Sequence, residues 1–353
     1  MNFPRPFLGL VMLVLGADVF AGTVRWGNVL QQPAAWYASA EGRAVAANML
    51  AYQTAEGGWP TDVDTTQAPS AEFLALQPRQ RAATLDDRAT TRPLTVFARV
   101  VSATGDATLR AAFLRGFDYL LAAQYPNGGW PQYFPLKPGY HSHITYNDGA
   151  MIGVMSLLRD AAQGKEPFAF VDADRRARAA AAVARGMECV LRTQVKQDGK
   201  LTVWCAQHDE NTLAPAGARH FEPPSLSGAE SADITRFLMG VENPSPAIIA
   251  AIEGAMHWFQ SVAIHGLRID NAPGPDGKND RHAVADHAAP ALWARFYELG
   301  TNRPIFIGRD KVIHFDFNAI ERERRTGYTY LGTWPEKLLA QDYPRWRARH
   351  HLP

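Results

Sequence analysis

A motif repeated at intervals of about 70 residues is the feature that most limits what this chain can fold into. Residues 50–60 (LAYQTAEGGWP) are echoed by residues 121–131 (LAAQYPNGGWP), and a degenerate third copy covers residues 191–204. Each copy places Gln at the end of a predicted helix, then Gly in a turn, then Trp. This period suits a pair of helices with their loops, so we predict a ring of helix pairs whose aromatic loops surround one mouth. The functional site is expected at that mouth.

The first residues have the pattern of an export signal. Arg5 is followed by the almost wholly apolar residues 7–16, and Ala21 ends a stretch suited to cleavage. We therefore predict a signal peptide at residues 1–21 and a secreted or periplasmic protein. Residues 22–353 are predicted to form a single catalytic domain, with an irregular lobe over about 22–85 and a helical toroid over about 86–353.

Composition excludes some classes of partner. The formal net charge is +1, which is not the basic surface expected of a nucleic-acid binder. No apolar stretch after the signal is long enough to cross a membrane. We therefore predict a monomer that binds neither nucleic acid nor membrane. Cys189 and Cys205 are the only cysteines. They could pair in an oxidising compartment, or Cys189 could simply pack as a buried apolar residue.

Helical periodicity dominates the chain between the loops. Helices are expected after Asp106, from Asp172 to Gln194, and from Ser245 to about His265, where Pro246 suits a first turn. Residues 89–103 and 149–162 also have the pattern of helices. The long Gly- and Pro-rich loops cover residues 54–79, 126–145, 198–227 and 271–286. Their Trp, Tyr and His content favours a functional role.

Two acidic segments stand before predicted helices. Asp86 lies in the segment TLDDRATT, and Asp148 lies in YNDGA. Asp and Asn in these places are typical helix caps. The same oxygen ligands suit Ca²⁺, which takes several carboxylates, amides and waters. Both interpretations are open from the residues alone.

Three arginines lie in unusual surroundings. Arg219 lies in a rigid turn, PAGARHFEPPSLSG, where it could simply pair with Asp209 or Glu222. Arg295 (WARFY) and Arg309 (FIGRD) lie among aromatic and glycine residues. Guanidinium groups bind carboxylates through two parallel hydrogen bonds, so these arginines suit an acidic sugar polymer.

Taken together, these motifs resemble the pectate lyases of polysaccharide lyase family 10. The resemblance runs in order from about residue 48 to residue 335 and includes both GGWP loops, TLDDRATT, YND, QHDE, WARFY, GRD and RRTGY. Its most specific part is residues 207–228. It implies an all-α dominated (α/α)3 toroid, or incomplete barrel, with long loops and an irregular N-terminal lobe. It also implies calcium-assisted β-elimination of polygalacturonate (pectate), which yields 4,5-unsaturated oligogalacturonates.

The resemblance also implies roles for individual residues. Arg219 matches the catalytic base, and Asp86 and Asp148 match the positions that bind Ca²⁺. Substrate is expected to contact four side chains, namely Arg295, Arg309, Trp130 and Tyr146. The chain departs from the family at Asp87-Arg88, where Asn and a small residue are usual. Arginine is normally protonated, so a base role for Arg219 requires alkaline pH or neighbouring cations that lower its pKa.

Two other functions are considered. A non-catalytic or degenerate acidic-polysaccharide-binding protein would keep the aromatic loops, and the departure at Asp87-Arg88 is consistent with it. A terpene-cyclase-like α-toroid enzyme would share Gln-to-Trp repeats, but it needs an acidic proton donor cluster. Asp62-Val63-Asp64 is the nearest candidate and has no further acid directly after it.

Overall fold

The computed structural model of the protein describes residues 24–274 and 276–352. The predicted signal peptide lies outside these described residues. Within them, no helix combines the length and the apolar character that a membrane span requires. A continuous cluster of buried side chains extends from Val29 to Trp346.

Ten α-helices cover much of the described chain. They are α1 (Ala40–Leu50), α2 (Ala71–Ala75), α3 (Thr91–Thr104), α4 (Ala107–Ala122), α5 (Ala150–Ala162), α6 (Ala173–Thr193), α7 (Glu230–Met239), α8 (Pro246–Ser261), α9 (Arg322–Gly327) and α10 (Tyr343–Arg349). Short 3-10 helices are Trp26–Gln31, Ala34–Ala38, Pro78–Arg81, Asp86–Arg88, Gly139–Ser142, Asn147–Gly149 and Phe317–Ala319, and a π-helix covers Leu338–Asp342.

The long helices pack as consecutive pairs. α3 packs on α4, α5 on α6, and α7 on α8, while α5 also contacts both α3 and α7. Several helices begin where the sequence predicts a cap. The Asp106 carboxylate accepts from the Leu109 N–H at 2.9 Å and starts α4, and Asp172 caps α6 in the same way. Ser245 caps α8, which ends at Ser261, four residues before the predicted end.

Thirteen strands lie between the helices. They are β1 (Ile144–Thr145), β2 (Lys196–Gln197), β3 (Lys200–Leu201), β4 (Gln207–His208), β5 (Pro215–Ala216), β6 (Leu226–Ser227), β7 (Leu267–Pro273), β8 (Asn279–Ala285), β9 (Trp293–Ala294), β10 (Phe296–Tyr297), β11 (Phe306–Ile307), β12 (Ile313–His314) and β13 (Leu331–Gly332). The sheet β1–β4–β5 and the pairs β6–β10, β11–β12, β9–β13, β2–β3 and β7–β8 are all antiparallel.

The prediction of an all-α toroid is wrong, because about 47% of the described residues are helical and about 13% are in strands. Most of the strands are two residues long and pair segments of the predicted loops. A two-residue strand has no alternation that a sequence could reveal. The seven-residue strands β7 and β8 form a hairpin where a loop was expected over residues 271–286. The structure is a mixed arrangement of helices and small sheets.

The repeated Gln ties each unit to the next. The side-chain amide of Gln53 donates to the Ala112 carbonyl at 2.9 Å, and Gln124 donates to the Ala182 carbonyl at 2.8 Å. Gln194 donates to the Ala251 carbonyl at 2.8 Å in the third copy. In each case the acceptor lies in the second helix of the following pair. The repeat in the sequence is therefore a repeat of the contact between successive units.

The repeated Trp belongs to the core. Trp59, Trp130 and Trp204 are fully buried. Their indole N–H groups donate to carbonyls of the preceding helix, at 2.7 Å, 2.9 Å and 2.7 Å respectively. The sequence predicts that these rings surround the mouth of the site, but their burial excludes that position. They fill the space between successive helix pairs.

Both cysteines are free and buried, so they do not pair in this structure. Cys189 packs on α6 as an apolar residue. Burial raises the pKa of its thiol to about 11 and that of Cys205 to about 12. Neither thiol is therefore activated as a nucleophile.

Candidate functional site

Two turns of matching shape create the acidic part of the site. Residues 85–89 precede α3, and residues 146–150 precede α5. In each turn two successive residues have left-handed backbone angles. They are Asp87 (φ 49°) and Arg88 (φ 58°) in the first turn, and Asp148 (φ 50°) and Gly149 (φ 73°) in the second. The two turns contact each other, so the internal repeat brings two distant acidic segments together.

These turns line a cleft of about 230 Å³, which we call the acidic cleft. Its charged and aromatic lining consists of Asp62, Asp86, Asp87, Asp148, Arg219, Glu222, Tyr133, Tyr140, His141 and Phe296. The cleft thus contains the predicted metal positions and the predicted base. It is the part of the described structure where the motifs of the resemblance converge.

The acids of the cleft repel one another. The pKa of the Asp86 carboxyl is raised to about 7, first by burial and then by the charges of Asp148 and Asp87. Burial, Asp148 and Asp62 also raise the pKa of Asp87. The Oδ1 atom of Asp86 is buried and has no hydrogen-bond partner among the described residues. Converging carboxylates with an unsatisfied buried oxygen are the donor set that a hard cation such as Ca²⁺ requires.

Arg219 is held by a carboxylate in the same loop. Its Nε and Nη2 donate to the two carboxylate oxygens of Glu222 at 2.8 Å and 2.5 Å. The Tyr328 hydroxyl donates to Glu222 as well, at 3.0 Å. These hydrogen bonds raise the pKa of Arg219 well above its usual value, although burial acts in the opposite direction. From the sequence, a base role for Arg219 requires alkaline pH or neighbouring cations that lower this pKa. In the structure the nearest charged group is instead the Glu222 carboxylate, which raises it.

Arg295 connects the acidic turn to α7. Its guanidinium donates to Asp148 at 3.0 Å and to Glu230 at 2.5 Å. Only 14% of the Arg295 side chain is exposed. Burial alone would lower the pKa of Arg295, but Glu230, Tyr328 and Asp148 raise it on balance. The side chain is therefore a fixed positive charge beside a predicted metal ligand.

Arg309 and Arg219 both lie against the same aromatic ring, that of Phe221. The guanidinium carbons of Arg309, Arg219 and Arg324 are 5.7 Å, 4.8 Å and 3.9 Å from the centre of the Phe221 ring. Arg309 is half-exposed and pairs with Glu323 at 2.8 Å. Phe221 thus gathers three cations. Arg324 belongs to the RRTGY motif but is not among the predicted site residues.

Trp130 and Tyr146 do not reach the cleft. Trp130 is fully buried. Tyr146 is 1% exposed, and its hydroxyl lies 2.7 Å from Thr193 Oγ1. Neither ring has side-chain surface available for a ligand in this structure. Tyr133 and Tyr140, which do line the cleft, carry no repeat or motif signal that would have identified them.

A second group of possible metal ligands lies near the repeat loop. His143, Asp209 and Glu210 have ligand atoms within 4.8 Å of one another. Hydrogen bonds within the protein already explain why these side chains lie close together. His143 Nδ1 lies 3.0 Å from Glu210 Oε2, and Asp209 Oδ1 accepts from Thr212 and Asn211. The group links two loops, and the acidic cleft has the stronger case for a cation.

Comparisons with known proteins agree with the motifs. The pectic acid lyase family matches residues 53–339. A family 10 polysaccharide lyase from Cellvibrio cellulosa superposes with a TM-score of 0.76 at 31% identity, covering 90% of this chain and 95% of that one. A mutant of a family 10 polysaccharide lyase from the same organism, in complex with trigalaturonic acid, gives the same score and identity over 87% and 93%. No curated protein is similar enough to be matched.

The family match covers well over half of the chain, and the solved structures superpose on it over most of their length. The cleft between the two acidic turns contains Asp86, Asp148 and Arg219, the residues that the sequence resemblance predicts for the site. The chain therefore belongs to the pectic acid lyase family.

Proposed function

We infer that the protein is a pectate lyase that cleaves polygalacturonate. The observation that carries this inference is the acidic cleft, which brings Asp86, Asp148 and Arg219 together from three separate segments. The complex of the Cellvibrio enzyme with trigalaturonic acid supports the same substrate. Following the export signal expected from the sequence, we propose that the protein acts as a secreted or periplasmic monomer.

We propose that Asp86 and Asp148 hold Ca²⁺, with Asp87 adding a carboxylate where the family usually has Asn. The unsatisfied Oδ1 atom of Asp86 and the mutual repulsion of these acids support the assignment. Bound Ca²⁺ would supply positive charge that neutralises a uronate carboxylate and makes the neighbouring C–H more acidic. The acids themselves fix the position of that charge in the cleft.

The proposed reaction is β-elimination with Arg219 as the base. Neutral Arg219 takes the proton from the carbon next to the uronate carboxylate. The electron pair of that C–H bond forms the new double bond, the bond from the neighbouring carbon to the glycosidic oxygen breaks with its electron pair going to the oxygen, and that oxygen takes a proton from water to become the hydroxyl of the released chain. Because Glu222 stabilises the protonated guanidinium, we expect activity only at alkaline pH or after substrate changes the Arg219–Glu222 contact.

The other arginines are proposed to bind substrate carboxylates. Arg309 is half-exposed beside Arg219, so it can turn from Glu323 to a uronate. Arg295 is more enclosed and would act as a fixed charge at the metal end of the cleft. Electrostatic stabilisation of this kind usually contributes more to catalysis than any other single effect. We assign Trp130 and Tyr146 to the packing below the cleft rather than to substrate contacts.

The test follows ultraviolet absorbance of polygalacturonate at alkaline pH with calcium, then with a chelator. We expect absorbance to rise and the chelator to stop it. Arg219→Ala should lower kcat by about 10²- to 10⁴-fold, as expected for loss of a general base. Arg345→Ala, which changes an exposed arginine of α10, is the matched control. Appreciable activity in Arg219→Ala would remove Arg219 as the base.

The pairing of Arg219 with Glu222 also favours one alternative, a degenerate protein that binds acidic polysaccharide without cleaving it. The same assay separates the two functions. Saturable binding of trigalacturonate with no absorbance change, by folded protein in calcium, would identify the binding protein. A true pectate lyase should also cleave highly methyl-esterified pectin more slowly than polygalacturonate, because esterification removes the carboxylates that the cations bind.

A further inference from the structure

A second cavity, of about 480 Å³, lies outside the acidic cleft in the N-terminal part of the chain. We call it the lobe pocket. Its walls come from residues 51–56 in the first repeat loop, from the 3-10 helix Pro78–Arg81, and from the loop that contains Lys137. Three segments that are distant in sequence thus meet around one open space. The proposed reaction uses none of the side chains that line this pocket.

The lobe pocket has excess positive charge. Arg79, Arg81 and Lys137 line it, and Glu56 is its one acidic side chain. Among the described residues, none of the three cations has a carboxylate within 4.0 Å, although most arginines around the acidic cleft are paired. Burial lowers the pKa of Lys137. Arg79 is exposed, whereas Arg81 and Lys137 are half-buried, and an anionic ligand would stabilise these unpaired cations.

The Phe73 ring adds a partly exposed apolar face to this lining, and the buried Tyr52 ring packs behind it. Tyr52 and Phe73 pack with their ring centres 4.8 Å apart at an angle of 55°. The Arg81 guanidinium lies 5.6 Å from the centre of the Phe73 ring, which helps to fix its orientation. The Thr54 hydroxyl oxygen in the lining is buried and lacks a hydrogen-bond partner in the described structure. An apolar ring beside cations suits a ligand with both apolar C–H faces and carboxylates, and the unsatisfied Thr54 hydroxyl lies just behind this surface.

We propose that the lobe pocket is a secondary binding site for a short stretch of an acidic oligosaccharide, with uronate carboxylates on Arg79, Arg81 and Lys137. The identity of the sugar rests on the proposed function. A neutral glycan would leave the three cations unpaired, and a simple inorganic anion would leave the aromatic surface uncovered. A uronate oligomer satisfies both parts of the surface.

The position of the pocket relates it to the acidic cleft. The Lys137 ammonium lies 3.7 Å from the centre of the Tyr133 ring, and Tyr133 itself lines the cleft. A polymer held in the lobe pocket is therefore kept close to the site of cleavage. Two linked contacts raise the effective concentration of the second segment without any change in the reaction itself.

The test titrates trigalacturonate calorimetrically, at low salt, into the Arg219→Ala protein, which keeps the ligand intact. We expect two binding events. Adding Arg79→Gln and Arg81→Gln should weaken one of them by roughly tenfold, the effect of losing two exposed ion pairs. Adding Arg345→Gln should leave both unchanged. Lys137→Gln, on the opposite wall, is a second variant that should weaken the same event.

One binding event in the parent protein, or two unchanged events after Arg79→Gln and Arg81→Gln, would overturn the proposal. Equal binding of the methyl-esterified trimer would overturn the assignment to a carboxylate ligand. The proposed function is judged separately, from absorbance with wild-type protein. In that protein, Arg79→Gln with Arg81→Gln should raise KM for polygalacturonate and leave kcat on trigalacturonate unchanged. Turnover without a second binding event would leave the lyase assignment intact and would show that the lobe pocket is not a secondary binding site.

Discussion

At the scale of single residues, Glu222 has two opposite effects on Arg219. Its carboxylate accepts two hydrogen bonds from the guanidinium and so fixes the plane of the group. The same negative charge stabilises the protonated form, which cannot accept a proton from substrate. Tyr328 donates to one oxygen of Glu222 and competes for its charge. The orientation of Arg219 and its basicity are therefore set by the same carboxylate.

Glu222→Gln should separate these two effects. The amide oxygen can still accept a hydrogen bond from Arg219, but the negative charge is lost, so the pKa of Arg219 should fall. We expect the activity to appear at lower pH than in the wild type, with lower kcat at the optimum because one of the two bonds is weakened. The measurement is kcat/KM for polygalacturonate as a function of pH.

Tyr328→Phe is the control for this experiment, because it removes a neighbour of Glu222 and leaves the carboxylate in place. Its pH profile should not move to lower pH. If Glu222→Gln loses activity equally at every pH, Glu222 has only a structural role.

Asp86 should make the metal-free protein sensitive to pH. Because its pKa in the folded protein is raised to about 7 from an ordinary value of 3.8, stability falls as pH rises between these two values and stays low above pH 7. Asp86→Asn should therefore stabilise the chelator-treated protein at pH 8 by about 2 kcal/mol, less than the full shift because the cleft is open. At pH 4 the two proteins should be nearly equal in free energy of unfolding.

Calcium should reverse the order of stability. The wild-type protein should gain stability on adding Ca²⁺ at pH 8, and Asp86→Asn should gain much less. Thermal unfolding with chelator and with calcium measures both effects. A variant that is equally stabilised by calcium would place the ion away from Asp86.

Much of the site can be read from the sequence at this scale, because motif order brings Asp86, Asp148 and Arg219 into one interpretation. The partner Glu222 is among the residues expected beside Arg219. Trp130 and Tyr146 are predicted to bind substrate, yet both are buried. The residue type of an aromatic side chain is the same in a core and on a platform. Only the packing of the following helices shows which one it is.

At the scale of elements, the repeat explains both what was foreseen and what was missed. Helix boundaries are close to those predicted, because a capping residue lies next to the helix in the sequence. Asp106 and Asp172, for example, each accept from the free backbone N–H three residues later. The small sheets were missed, because their two-residue strands are defined by partners from distant loops. In the first two copies of the repeat, a Gly lies against the backbone of the following unit. Gly128 lies so close to the carbonyl of Arg185 that an added Cβ would be 2.0 Å from it.

Gly128→Ala should therefore be strongly destabilising. The backbone at Gly128 has φ +94°, which alanine adopts poorly, and the new methyl group would collide with the next unit. We expect a loss of about 2–4 kcal/mol in the free energy of unfolding, measured by urea denaturation.

Gly139→Ala is a matched control, because Gly139 has φ +80° and no atom within 4 Å of the added Cβ. It should cost about 1 kcal/mol, the backbone contribution alone. Equal losses in the two variants would show that the contact between units is soft, and that the repeat does not need glycine there for packing.

At the scale of the whole molecule, the interior holds a titratable group that limits its stability in acid. His208, on β4, is fully buried. Its Nδ1 lies 3.0 Å from the Leu213 carbonyl, and its Nε2 accepts from the Cys205 N–H at 3.2 Å. The second contact needs a neutral ring, since a protonated Nε2 would point a hydrogen at another donor. Although Asp209 follows it directly in the sequence, His208 joins the central loops and forms no catalytic pair with that acid.

Acidification should unfold the protein through His208. Burial lowers the pKa of His208 to about 4, against an ordinary value of 6.5, although its hydrogen bond to Leu213 acts the other way. Between these two values the unfolded chain therefore binds a proton that the folded chain does not bind.

The free energy of unfolding should therefore fall by about 3 kcal/mol as pH decreases from above 6.5 to about 4. Urea denaturation at pH 7 and at pH 4.5 measures this change in each variant, with chelator present to exclude the metal site and in an Asp86→Asn background, because titration of Asp86 acts in the opposite direction. His208→Gln, which can keep a donor and an acceptor without charging, should be less stable at pH 7 but lose less on acidification. His351→Gln, at an exposed histidine, should keep the wild-type difference. An unchanged difference in His208→Gln would assign acid unfolding to the carboxylates.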